Sequence, residues 1–258
     1  MRRTLVNLNK VYVVRHGESI WNHDSKFTGW TDIPLTEKGK IEAKHIAEKL
    51  IEKGIFPNIF FSSVLDRAIQ TTNIIKKELK ESNSSLTTTT YTSWRLNEKH
   101  YGTLEGIPRK YIRKEYGSKF TAMMRNNFYM KPPVIHNTPF NNNIYPVYQN
   151  CYYESMKNGE SKENVLTRLL PYFQNDVLYT LQKNNVPMIV THKHCARVLM
   201  KHLLNMNDED FETYTIPNDI LELTMNRDFT LKSHKFKNVK DRLTYQPTRQ
   251  GVESRVRD

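Results

Sequence analysis

A chain of 258 residues with 38% hydrophobic content is long enough to bury a sizeable core in one globular domain. Its 39 Lys and Arg against 27 Asp and Glu give a net charge of +12, but the cations are spread out, with no zinc-finger spacing, heptad repeat or aromatic RNA-binding signature. Nucleic acid and membrane are therefore not expected partners: no apolar stretch is long enough to span a bilayer, Met1-Arg2-Arg3-Thr4 lacks the hydrophobic region of a secretory signal, and Cys151 and Cys195 make no disulfide framework. The composition fits a soluble, cytoplasmic protein that takes small anionic ligands.

In chain order, the apolar run Val11-Tyr12-Val13-Val14 predicts a strand that ends in Arg15-His16-Gly17-Glu18. Gly17 permits a tight turn with N–H groups facing an anion, and Arg15 brings a permanent charge with a planar donor fork. A phosphate site built around His16 follows, although on these residues alone a surface histidine beside an incidental arginine fits as well. Thr36 caps a predicted helix through Ala43, Ile46, Ala47, Leu50 and Ile51, ending near Gly54. Ile59-Phe60-Phe61 is a second strand, followed by a helix with Leu65, Ala68, Ile69 and Thr72 on one side and Arg67 in its first turn. The polar stretch from Glu81 to Thr90 has the composition of a loop. Ser161 can cap a helix through Val165, Leu166, Leu169, Leu170 and Phe173, in which Pro171 should kink or locally break the ladder. Met188-Ile189-Val190-Thr191 is a buried strand leading to His192 and a helix with Ala196, Leu199, Met200 and Leu203.

This alternation predicts an α/β fold, a three-layer sandwich with a mostly parallel central sheet flanked by helices. Three strand-to-helix junctions then deliver Arg15 with His16, Arg67, and His192 to one sheet edge, where helix amino-termini add partial positive charge.

The segment from Arg15 to Gly39, RHGESIWNHDSKFTGWTDIPLTEKG, resembles the opening signature of the cofactor-dependent phosphoglycerate mutases of the histidine phosphatase superfamily. The resemblance continues through Ser62-Ser63-Val64-Leu65-Asp66-Arg67-Ala68, Trp94-Arg95-Leu96-Asn97-Glu98-Lys99-His100-Tyr101-Gly102, Lys131-Pro132-Pro133 and Gly159-Glu160-Ser161, and fades after Pro217. It implies a phosphoglycerate mutase-like catalytic domain over residues 1–238; the stretch 239–258, locally basic with few apolar residues, reads from its composition as a mobile tail. It also implies interconversion of 3-phosphoglycerate and 2-phosphoglycerate in glycolysis, through a phosphohistidine at His16 primed by 2,3-bisphosphoglycerate and without a metal. Under that resemblance Arg15 and Arg67 clamp the phosphate, His192 donates to a phosphoryl oxygen, and Glu98 is the general acid/base. Asn22, Thr28, Gly29 and Tyr101 match positions that contact the substrate or frame its carboxylate, with Ser19 near the same loop. Arg109 and Arg125 match cationic positions at the other end of the pocket. Trp21 and Trp30 read as core or pocket-wall residues. Homodimers and homotetramers occur in the family.

The chain also departs from that pattern. Arg109 stands for a lysine, and Asn126 for the second of an arginine pair, a loss that Lys110 can offset. The family's His-Gly-Asn-Ser-Leu-Arg is here His192-Lys193-His194-Cys195-Ala196-Arg197, so Lys193 either adopts a costlier backbone conformation, shifts the main chain, or supplies charge. His192, His194 and Cys195 have adjacent spacing and no fourth ligand, which does not make a metal site. After Pro217 the family's Thr-Gly is replaced by Asn218-Asp219, which reshapes the loop. Two alternatives stay open: a phosphatase in which water takes the phosphoryl group from His16, and a non-catalytic relative that binds phosphorylated ligands or a protein.

Overall fold

In the computed structural model, which describes residues 9–134 and 159–237, the first strand extends over Asn9–Arg15 (β1). Its side chains alternate between two apolar clusters: Val11 and Val13 enter one, Tyr12 and Val14 the other on the opposite face. β1 lies in a six-stranded sheet with β2 (Ile59–Ser62), β3 (Thr89–Thr92), β4 (Pro187–Thr191), β5 (Leu221–Met225) and β6 (Leu231–Phe236), in the order β3-β2-β4-β1-β5-β6. The first four strands in that order run parallel, while β5 is antiparallel to β1 and β6 to β5. The expected mostly parallel sheet is thus present, and its antiparallel edge lies in the region after Pro217 where the motifs fade. The tail expected from 239 to 258 lies outside the described residues.

Helices cover both faces. Short α1 (Ile20–His23) follows the first junction, and α2 (Glu37–Glu52) and α3 (Asp66–Ser82) pack over Tyr12 and Val14 with Ala47, Leu50, Ala68, Ile75 and Leu79. Thr36 Oγ1 accepts from the Gly39 N–H at 3.0 Å, the cap the sequence predicts, and Gly54 beyond the helix has φ 63°. The loop expected over residues 81–90 is shorter than the composition suggests. α3 continues to Ser82 because Leu79 still reaches the core, and Thr89 and Thr90 pair with Ile59 and Phe60 as an edge strand with an exposed face. α4 (Arg109–Tyr116) and α5 (Ser118–Asn126) enclose a third apolar cluster with Phe27, Tyr101 and Leu104, which adjoins the cleft described below.

On the other face lie α6 (Lys162–Tyr172) and α7 (Lys193–Leu203). A capping box starts α6: Ser161 Oγ accepts from the Asn164 N–H at 3.1 Å and Asn164 Oδ1 accepts from the Ser161 N–H at 3.0 Å. Pro171 does not end the helix. The ladder widens to a π turn over Phe173–Val177 and resumes as α over Leu178–Leu181, so the missing proline N–H is absorbed locally while Phe173 and Val177 stay buried. α8 (Asp208–Thr213) follows α7 and buries Phe211.

On β5, Glu222 is buried with three ammonium groups: Lys10 at 3.3 Å, Lys235 at 3.2 Å and Lys237 at 2.6 Å. Burial alone raises a carboxyl pKa, but Lys237 and Lys235, with Lys10 behind them, outweigh it and hold Glu222 down to about 2. Because the ordinary value is 4.5, this cluster's stabilisation is present above that pH and is lost as pH falls toward 2. Glu222→Gln should flatten the acid side of the stability profile between those limits, measured as the urea midpoint against pH. An unchanged acid slope in the variant would count against this assignment.

Candidate active site

The three junctions meet as the sequence predicts. The His16 N–H donates to the Thr191 carbonyl at 3.0 Å, tying the end of β1 to the end of β4, and His192 follows at once. A cleft of about 150 Å³ opens there, lined by Arg15, His16, Asn22, Thr28, Gly29, Arg67, Glu98, Tyr101, Arg109 and Arg125. Every expected site residue except His192 therefore reaches this cleft. His192 is fully buried behind His16, with ring centroids 4.8 Å apart. Phe27, Lys26, Lys193 and His194 complete the lining. Among these residues six cations, Arg15, Lys26, Arg67, Arg109, Arg125 and Lys193, face one carboxylate, Glu98. The cleft is built for a small, multiply charged anion.

His16 Nδ1 lies 2.6 Å from the Gly17 carbonyl oxygen. A carbonyl only accepts, so Nδ1 carries the proton and Nε2 is left with its lone pair. Burial first, then the Arg67 and Arg15 charges, push the His16 pKa well below 6.5. His192 is shifted the same way, by burial first and then by Arg67, His16 and Arg15. Its Nε2 is 2.7 Å from Ser63 Oγ, and its Nδ1 has no hydrogen-bond partner among the described residues.

One expectation is corrected. The N–H groups after His16 are not free for an anion: Gly17 N–H donates to Thr71 Oγ1 at 3.1 Å and Glu18 N–H to Glu42 Oε2 at 2.8 Å. Gly17 is required for a different reason. A Cβ there would collide with the Gly39 carbonyl, and one at Gly39 with the Glu18 carbonyl, so two glycines let this turn press against the start of α2.

The cations are held by uncharged oxygens. Arg15 donates to Asn22 Oδ1 at 3.1 Å and to Asn218 Oδ1 at 3.0 Å, which commits the Asn22 oxygen and shows what the altered loop after Pro217 does. Arg67 donates to the carbonyls of Thr31 at 3.0 Å and Gly29 at 2.8 Å; its pKa falls to about 10, chiefly through burial, so it stays charged at neutral pH. The Nε atoms of both arginines have no hydrogen-bond partner among the described residues. Arg109 donates to the Lys26 carbonyl at 3.2 Å. Lys110 is exposed and outside the lining, so it does not offset Asn126, whose Oδ1 instead accepts from Arg197 Nη1 at 3.4 Å. Lys193 opens α7 without positive φ, so the costlier conformation is not used and its side chain lines the cleft. His192, His194 and Cys195 take separate partners: Ser63, the Tyr101 hydroxyl at 2.9 Å, and the Asn97 carbonyl at 2.7 Å.

Glu98 Oε1 accepts from the N–H groups of Lys99 at 2.8 Å and His194 at 3.3 Å, leaving Oε2 uncommitted among the described residues. Residues outside the predicted set hold this carboxylate in place. Trp30 Nε1 donates to the Glu98 carbonyl at 2.6 Å, and Arg168, fixed by Glu160 at 2.7 and 3.0 Å, donates to the carbonyls of Arg95, Asn97 and Glu98. Glu105 accepts from the N–H groups of Trp30, Thr31 and Tyr101, joining the Thr28–Thr31 loop to Tyr101. Glu160 lies inside a quoted motif and Lys26 inside the first signature. Arg168 and Glu105 carry no sequence signal that separates them from surface charges.

Residues 11–140 match the model of the histidine phosphatase superfamily (branch 1). A 2,3-bisphosphoglycerate-dependent phosphoglycerate mutase of Buchnera aphidicola subsp. Cinara cedri is 41% identical over 206 residues, covering 78% of this chain and 86% of that protein. A protein of the same name from Corynebacterium kroppenstedtii is 35% identical over 212 residues, covering 82% and 83%. Among solved structures, a mycobacterial glucosyl-3-phosphoglycerate phosphatase superposes with a TM-score of 0.64 over 88% of this chain and 97% of its own, at 20% identity. Bacillus stearothermophilus YhfR gives 0.63 over 86% and 93%, at 22% identity. These two likenesses speak to the fold alone.

Two outcomes follow from the turn after His16. In ¹⁵N-histidine-labelled protein, His16 should remain neutral with the proton on Nδ1 as pH falls through 6.5; an imidazolium already present at pH 6.5 would contradict the burial argument. Gly17→Ala should destabilise the fold by about 1–3 kcal/mol, as overpacking does, read from urea unfolding. A loss below about 0.5 kcal/mol would mean that the turn accommodates a Cβ.

Proposed function

The chain belongs to the histidine phosphatase superfamily, branch 1, and within it to the 2,3-bisphosphoglycerate-dependent phosphoglycerate mutases, and we propose that it interconverts 3-phosphoglycerate and 2-phosphoglycerate through a phosphohistidine at His16. The observation that carries this is the free Nε2 of a neutral His16 at the edge of a cleft with six cations. The Nε atoms of Arg15 and Arg67, without a partner among the described residues, fit one phosphoryl group at the His16 end, and the excess of lining cations over the one described carboxylate fits a second anionic group, as in 2,3-bisphosphoglycerate. That ligand supplies the priming phosphoryl group.

His16 Nε2 attacks phosphorus in line; the N–P bond forms as the P–O bond to the glycerate oxygen breaks. Arg15 and Arg67 neutralise the equatorial oxygens. His192 lies against His16 and outside the cleft lining, so its Nδ1, without a partner among the described residues, meets a phosphoryl oxygen only once that group is seated on His16; it donates there when the Ser63 hydroxyl donates to Nε2. Glu98 protonates the leaving oxygen through Oε2 and, in the return step, takes the proton from the attacking hydroxyl. Asn22 steers Arg15, while Thr28, Gly29 and Tyr101 frame the glycerate, and Arg109 and Arg125 receive its far end. The phosphorylated glycerate is a small partner, and the activity belongs to glycolysis. A cytoplasmic setting is part of this proposal, supported by the free buried thiol of Cys195. No helix among the described residues is long and apolar enough to cross a membrane.

Purified protein given 3-phosphoglycerate should form 2-phosphoglycerate, faster with catalytic 2,3-bisphosphoglycerate and without matching release of phosphate. His16→Ala should abolish turnover. Glu98→Gln should lower kcat by about 10²–10⁴-fold, the range for losing a general acid/base, with an unchanged melting temperature. Phosphate as the main product would make the chain a phosphatase; no product and no acid-labile phosphate on His16 would defeat both enzymatic readings.

A further inference from the structure

Lys193 is the first residue of α7, directly after His192, and its half-buried side chain lines the cleft beside Arg15 and Arg125. It also walls a narrow crevice with Pro217, Asn218 and Asp219. The two departures from the family pattern, after His192 and after Pro217, are therefore one place in the fold. Asn218 binds the Arg15 guanidinium there, and Lys193 stands next to it.

The ammonium of Lys193 makes no hydrogen bond or ion pair with any described residue. Burial, then Arg125, Arg197 and Arg15, all act against its charge, and among its charged neighbours Glu98 favours it. A cation held among cations without a partner is relieved by an anion. The groups around it divide by position. Arg15 and Arg67 belong to the His16 end, with Asn22 and Asn218 fixing the Arg15 fork. Arg125 is the strongest charged neighbour of both Arg109 and Lys193, which groups these three at the far end. Asn126, next to Arg125, gives its side chain to Arg197 and contributes no charge.

We propose that Lys193 is a specificity-determining residue: its ammonium binds the second anionic group, carboxylate or phosphate, of a ligand whose first phosphoryl group lies against His16. It thereby supplies from α7 the positive charge that position 126 lacks on α5. The proposal rests on the mutase reading, but its test is a binding measurement that is readable whether or not turnover is found.

Titration calorimetry on the full chain, with His16→Ala in every protein including the one wild-type at Lys193 so that no phosphoryl group is transferred, compares inorganic phosphate, a single anion, with 2,3-bisphosphoglycerate, which carries anions at both ends. Lys193→Met should weaken bisphosphoglycerate binding at least 10-fold and change phosphate binding less than 2-fold, and Lys193→Arg should recover most of the loss. Asn126→Arg placed in the Lys193→Met background should regain at least 3-fold for bisphosphoglycerate only. Lys193→Gln serves the same comparison if the methionine variant does not fold. Equal weakening of both ligands, no weakening of either, an arginine variant no better than methionine, or protein wild-type at Lys193 that binds bisphosphoglycerate no tighter than phosphate would each overturn the proposal.

Discussion

The contact between His16 Nδ1 and the Gly17 carbonyl, 2.6 Å long and one residue apart, is the constraint on which the site depends. It decides which nitrogen carries the proton, and so which nitrogen can act as a nucleophile. That carbonyl is in turn aimed by the turn that Gly17 makes against Gly39, where neither backbone tolerates a Cβ. Burial and the adjacent guanidinium groups keep the ring neutral, so the same cations that attract an anion also keep the nucleophile unprotonated.

Concentrating positive charge carries a cost that the fold meets with oxygens rather than with carboxylates in the cleft. Arg67 is satisfied by two loop carbonyls and Arg15 by two asparagine side chains, so neither is neutralised before a ligand arrives. Carboxylates act one layer out. Glu105 gathers the N–H groups of the Thr28–Thr31 loop and Tyr101, and Glu160 fixes Arg168, which carries the Glu98 loop by its carbonyls. Among the described residues Glu98 is the one carboxylate in the cleft lining, positioned by backbone contacts at Oε1 while Oε2 stays uncommitted.

Much of this is legible in the sequence because strand and helix signals there agree with the chemistry. The apolar runs at Val11–Val14 and Met188–Thr191 end at His16 and His192, and parallel pairing of β1 with β4 brings those ends together. What is not legible is set by contacts between distant segments. Gly17 reads as an anion-binding turn, but its N–H belongs to Thr71, and its lack of a side chain answers to Gly39. Lys110 and Lys193 are both basic residues near quoted motifs, and only the start of α7 beside the cleft separates the lining lysine from the solvated one. Pro171 reads as a kink or local break, and the ladder does widen there, but the sequence does not show that the π turn, with Phe173 and Val177 buried at its two ends, lets the helix resume.

The most direct measurement is the position of the phosphoryl group on the phosphorylated protein, read by ³¹P–¹⁵N coupling or by chemical comparison with the two phosphohistidine isomers. With Nδ1 held by the Gly17 carbonyl, the phosphate should sit on Nε2 of His16 and on no other side chain. Phosphate on Nδ1, or on a residue other than His16, would contradict the account.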